Sequence, residues 1–271
     1  RANVVRDTYG NAGAGVKIGQ IEPGIPDTSD THLSSANIIT NTSFGGMQST
    51  DVHATYVARI MVGLTGLAPS ASLYSTSASY TIDHYRAIDW LVSQGVNVIN
   101  MSANFYGDHE YNDFCAYIDH LAVQHDVHFV TTAGNWEQVD PNYYVCSPGL
   151  AYNAITVGAY NDNNTAPIND SQIYSTHKDD YLEGYSKYME SSSSGVCKPN
   201  LVASGNDFWG GGGTSYAAPQ VTGGIAQLCS YNASLKTKQS SMGAILAASC
   251  GRKLAAEVIA GSELVYPSYF K

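Results

Sequence analysis

Short apolar runs with strand character alternate with helix-patterned segments along most of this chain, and that alternation limits its fold more than any other feature. Val16 to Ile21 follows a glycine-rich turn and runs into the breakers Glu22-Pro23-Gly24, which reads as a strand. From His53 to Val62 the apolar residues recur at helical spacing, and Ser72 to Ser77 is a second short strand. Tyr85 to Gln94 (YRAIDWLVSQ) is amphipathic at the helical period; Gly95 ends it, and Val96 to Ser102 (VNVINMS) follows as a strand. The grammar repeats with a helix around Phe114 to Gln124 and a strand from His128 to Ala133 closed by Gly134-Asn135. Ala154 to Gly158 is a further strand, and a helix starts at Ser215 and reaches Cys229. Apolar strands alternating with helices predict an α/β protein, a three-layer sandwich around a mostly parallel central sheet.

No linker, heptad run or fixed-period repeat divides the 271 residues, so residues 1–271 are expected to form a single domain. Hydrophobic residues make up 44% and charged residues only 13%, a balance that excludes a disordered or coiled-coil chain. A formal charge of −10 repels phosphates, so nucleic acid is not an expected partner. No apolar stretch is long enough to span a bilayer, and no leader follows Arg1, so the chain is expected to be a mature fragment or one whose targeting segment has been removed. Five cysteines (Cys115, Cys146, Cys197, Cys229 and Cys250) include no CxxC spacing, which argues against zinc. The odd count allows one or two disulfides and leaves at least one thiol unpaired. Cys229 and Cys250 lie in helical surroundings, where a small buried hydrophobe is expected.

Sites in parallel sheets gather at the carboxyl ends of the strands. Glu22, Ser102 and Asn135 stand near such ends, while His53 and Ser215 stand at helix starts. Ser215 follows Gly213-Thr214 and leads into Tyr216-Ala217-Ala218-Pro219, in the first turn of its helix. A residue there carries a free backbone N–H that can hold an oxyanion, and Gly210 to Gly213 let a substrate approach the backbone. Serine at a helix start also serves as an N-cap. Phosphate binding is the weaker alternative, because the lysine of a P-loop is missing. His53, in Asp51-Val52-His53-Ala54, is a candidate general base among eight histidines. Asn135 is either an oxyanion donor or a turn residue, and Glu22 either orients a histidine or is an ordinary acid at a sheet end.

Taken together, an acid, a His, an Asn and a Ser in this order resemble the subtilisin-like serine proteases. The matching stretches are VKIGQIEPGI, DVHATYVARI, GLAPSASLYS, AIDWLVSQGVNVINMS, VTTAGN, AITVGA, KPNLVASG and GGTSYAAPQVTGGIAQL, from residue 16 to about residue 228. The resemblance implies a serine endopeptidase acting on protein or peptide substrates through an acyl-enzyme. Ser215 would be its nucleophile, His53 its general base, Glu22 the carboxylate that orients the base, and Asn135 the oxyanion donor. It implies no cofactor, a secreted or cell-surface location, a monomer, and a propeptide outside this chain. Two other readings share the fold: a catalytically inactive binding protein, and a transpeptidase or peptide cyclase in which an amine captures the acyl group.

The sequence departs from the family at several points. Where the family has Asp, Glu22 is one methylene longer, and Asp27 and Asp30 stand nearby as alternatives. The family's His-Gly-Thr-His is here His53-Ala54-Thr55-Tyr56, with Tyr56 expected to be a packing residue. Met61 to Thr65 is too short for the family's calcium loop, so no metal is expected, and the acidic stretch Asn161 to Asp170 reads as a solvated loop. The resemblance assigns Ser102, Ala103 and Asn104 to one wall of the substrate pocket and Thr132, Ala133 and Gly134 to the other. Asn104 and Phe105 replace two glycines there, and are expected to narrow or reshape the pocket.

Overall fold

The computed structural model describes residues 7–8, 12–161, 181–189, 197–206 and 211–250. Eight strands lie among these residues: β1 (Lys17–Glu22), β2 (Asn37–Asn41), β3 (Ser72–Ser77), β4 (Val98–Met101), β5 (His128–Thr132), β6 (Ala154–Asn161), β7 (Tyr181–Leu182) and β8 (Leu201–Ser204). They form one sheet in the order β2-β3-β1-β4-β5-β6-β7, with β8 also paired to β6. Every pairing is parallel except that of β6 with β7.

Residues β1, β4 and β5 alternate between two cores. Ile18, Val98 and Val130 face helices α1 (Val52–Val62) and α4 (Thr214–Tyr231), through residues such as Val57, Met61, Ala218 and Ile225. Ile21, Ile99 and Phe129 face α2 (Thr81–Ser93) and α3 (Asp113–His125), through residues such as Ile88, Leu91, Phe114 and Ile118. Burial on both faces explains why these strands read as continuous apolar runs. The result is the expected three-layer α/β sandwich with a mostly parallel sheet.

The differences from the sequence reading have local causes. Glu22 closes β1 as a fully buried strand residue rather than starting the turn. Strand β2 (NIITN) lies at the sheet edge, half-exposed, and its polar residues hid it. Helix α2 starts four residues before Tyr85, where the Asp83 carboxylate accepts a hydrogen bond from the Tyr80 N–H at 3.0 Å. Helix α5 (Gln239–Ser249) follows without a clear amphipathic period. No disulfide forms among the described residues: Cys115, Cys146 and Cys229 are buried thiols, and Cys250 is exposed just past α5 rather than buried. Residues 162–170, most of the acidic stretch, lie outside the described residues.

Candidate active site

Helix α1 is capped by Asp51, whose side chain accepts from the Ala54 N–H at 2.8 Å and so fixes the first turn. That cap sets His53 beside the end of β1. There the His53 Nδ1 lies 2.8 Å from Oε2 of Glu22, a carboxylate wholly shielded from solvent. Strand and helix are joined once more by Gln20, buried two residues upstream on the same face, whose Nε2 donates to the Ala54 carbonyl at 2.9 Å. The other Glu22 oxygen, Oε1, has no hydrogen-bond partner among the described residues. Burial pushes the His53 imidazolium down, but the charge of Glu22 and its hydrogen bond, helped by Asp51, more than offset this and leave the pKa raised above 6.5.

The two reserve acids are engaged elsewhere. Asp30 holds the Arg59 guanidinium, which keeps its carboxyl below the ordinary range, and Asp27 accepts from Ser29. Tyr56 packs as expected, with Arg59 5.0 Å from its ring centre.

Ser215 lies in the first turn of α4, half-buried, and the glycine-threonine-serine and proline of its motif have a physical link. Pro219 lacks an N–H, so the Ser215 carbonyl four residues earlier has no helical donor. The Ser102 hydroxyl supplies one at 2.9 Å, tying the turn that carries Ser215 to the segment just past β4. Ser102 is held in turn by Asn100 Nδ2 at 2.9 Å, and Asn100 accepts from the Thr222 hydroxyl of α4 at 2.9 Å. The Ser215 hydroxyl itself donates to the Ser102 carbonyl at 3.2 Å; it is not hydrogen-bonded to His53, whose ring lies 5.5 Å from that of Tyr216.

Asn135 follows β5, half-buried. Its Oδ1 accepts from both the Thr214 N–H (3.0 Å) and the Thr214 hydroxyl (2.9 Å). Both bonds fix the amide with its Nδ2 turned to the Gly213 side of the Ser215 turn. Gly134, at φ +97°, makes that approach possible. The structure therefore brings Glu22, His53, Ser102, Asn135 and Ser215 together at the carboxyl ends of the neighbouring central strands β1, β4 and β5. Gln20, Asn100 and Thr222 were not singled out from the sequence, although a polar residue inside an apolar strand (KIGQIE, VINM) is a visible signal.

Of the expected pocket walls, Thr132 and Ala133 are buried and Ala103 and Asn104 half-buried. Asn104 reaches across to Thr132. Phe105 does not enter the pocket: its ring packs against His84 and Phe114, with centroids 5.2 Å from each. Behind Gly134 lies a cluster that the sequence did not suggest. His109, Asp140 and Cys146 offer ligand atoms spaced as for an ion. Yet the Lys187 Nζ already donates to Asp140 Oδ2 at 2.5 Å and to Cys146 Sγ at 3.3 Å, so an ammonium fills the place of a cation. The residues do not fit a metal.

The subtilase family model matches residues 13–258. This chain belongs to the subtilase family. No curated protein sequence matches this subtilase. Solved structures share its fold at low identity. The patellamide maturation protease PatA has a TM-score of 0.67 and 19% identity over 92% of this chain and 93% of its own. For the prenylagaramide maturation protease PagA the values are 0.65 and 21%, over 92% and 89%. A PatG macrocyclase in complex with peptide gives 0.62 and 16%, over 85% and 81%.

Proposed function

We propose that this subtilase is a serine endopeptidase with a Glu22–His53–Ser215 triad. The reading rests above all on the bond between the buried Glu22 carboxylate and His53 Nδ1, formed beside the turn that carries Ser215. Held in that way, the imidazole keeps its proton on Nδ1 and presents Nε2 as a base. Ser215 leaves the Ser102 carbonyl, gives its proton to Nε2 and attacks the scissile carbonyl carbon. The carbonyl π electrons move to oxygen, which is held by Asn135 Nδ2 and the Ser215 N–H. Collapse breaks the C–N bond as the imidazolium returns the proton to the leaving amine, leaving an acyl-enzyme that water then cleaves.

The same acyl-enzyme transfers to an amine when one is positioned better than water, and the macrocyclase among the structures of this fold makes that second reading worth testing. Fluorophosphonate labelling of wild type and Ser215→Ala, with the masses of peptide products, addresses both. Labelling of the wild type alone, with products heavier by one water in total, supports the hydrolase. Peptidase activity retained by pure Ser215→Ala would overturn the proposal, and amine-joined products would move it to transpeptidation.

A further inference from the structure

Sheet order fixes which side of Ser215 each part of a peptide occupies. His53 stands over the end of β1, Ser215 over the end of β4, and Asn135 at the end of β5, and these strands are consecutive neighbours. A leaving amine must lie at His53 to receive its proton. The residue that supplies the scissile carbonyl therefore lies on the opposite side. The family resemblance assigns its side chain to the gap between the segment following β4 (residues 102–104) and the end of β5 with the residues after it (132–134).

One side chain spans that gap. Asn104 Nδ2 donates to the Thr132 carbonyl at 3.0 Å, while the Thr132 hydroxyl donates to Asn104 Oδ1. Asn104 Cγ is 3.7 Å from where a Cβ on Gly134 would stand. Lys187 Cδ and Cys146 Sγ lie 3.1 and 3.3 Å from the same point, so the space behind Gly134 is closed as well. Lys187 cannot retreat readily, being wholly buried and paired with Asp140. A large side chain would have to displace Asn104 and strip two hydrogen bonds from Thr132, which is itself buried.

We propose that Asn104 sets the substrate class of this enzyme, closing the pocket so that the residue on the acyl side of the scissile bond is small: glycine, alanine or serine. This inference rests on Ser215 being the nucleophile. Glycine at position 104 would remove the bridge between the walls and leave a slot for a leucine or phenylalanine side chain.

The test measures kcat/KM on peptides that differ only at this residue, for wild type and for Asn104→Gly and Asn104→Ala, each first titrated with a fluorophosphonate. Wild type is expected to prefer glycine, alanine or serine over leucine or phenylalanine by about tenfold or more, the scale on which pocket size discriminates. Both variants are expected to gain about tenfold or more on leucine and phenylalanine relative to alanine. A wild type that favours leucine or phenylalanine overturns the proposal, even if neither variant folds. So does an unchanged preference in variants that label normally. Failure of wild type to label at Ser215 instead removes the serine-peptidase reading, and this inference with it.

Discussion

Glu22 carries a longer arm than aspartate, and its carboxylate reaches His53 Nδ1 directly, while Asp27 and Asp30 hold Ser29 and Arg59. Its carboxylate is buried at the end of β1, and Gln20 ties the same strand to the His53 turn. The pH profile follows from the electrostatics. A base must be unprotonated to act, and Glu22 raises the His53 pKa, so the acid limb of kcat/KM is expected above pH 6.5. In Glu22→Gln the charge of Glu22 is lost, leaving only the smaller influence of Asp51 against burial, so the limb of the residual activity should move to lower pH. A profile that does not move would mean that another group orients the histidine. Ser215→Ala and His53→Ala should each abolish turnover, and the double variant should be little worse than either, because the two act as a unit. Additive losses would contradict that.

At the scale of elements, the turn that carries Ser215 is held by a reciprocal contact with Ser102, just past β4. Ser102→Ala would leave the Ser215 carbonyl without a donor, a loss of about 1–3 kcal/mol. Chemical denaturation should show it, together with a fall in kcat; an unchanged midpoint would show that the Ser102 contact is dispensable. Gly134→Ala forces an alanine to φ +97° and brings its Cβ to 3.1 Å from Lys187 Cδ. It should displace Asn135 and reduce kcat by up to about 10²–10³, the size of losing one oxyanion donor, with KM less affected. Strands buried on both faces, β1, β4, β5 and β6, were legible in the sequence because two cores demand apolar residues at nearly every position. The edge strand β2 was not, since half of it meets solvent, nor was α5, whose apolar residues follow no period. The motifs pointed to Glu22, His53, Asn135 and Ser215, which the fold brings together at neighbouring strand ends. The reach of Asn104 to Thr132, the turn of Phe105 into the core and the link between Pro219 and Ser102 depend on side chains meeting across distant segments, which spacing along a chain does not encode.

Across the whole molecule, two apolar cores on either side of the sheet enclose a few charged groups, and these make stability depend on pH. Lys198 donates to the Ala154 carbonyl and Asn200, and burial pushes its ammonium down to about 7. The unfolded chain keeps that group protonated toward pH 10.5, so stability rises as pH increases from about 7 through this window. Lys198→Met removes the cost, and its melting-temperature advantage over wild type should therefore shrink between pH 7 and pH 9. An advantage independent of pH would show that Lys198 stays charged in the fold. Chelators bear on the fold differently. Because Lys187 occupies the interior of the His109, Asp140 and Cys146 cluster, a chelator is expected to leave the melting temperature unchanged; a marked fall would reveal an ion bound to the folded state.

The central claim is that Glu22, rather than Asp27 or Asp30, completes the triad. The most direct test is turnover of Glu22→Gln, Asp27→Asn and Asp30→Asn measured side by side on one peptide. The account predicts a fall of orders of magnitude for Glu22→Gln, whose amide favours the wrong imidazole tautomer, and small changes for the other two. A Glu22→Gln enzyme within about threefold of wild type, a difference under roughly 0.7 kcal/mol in barrier, would contradict it.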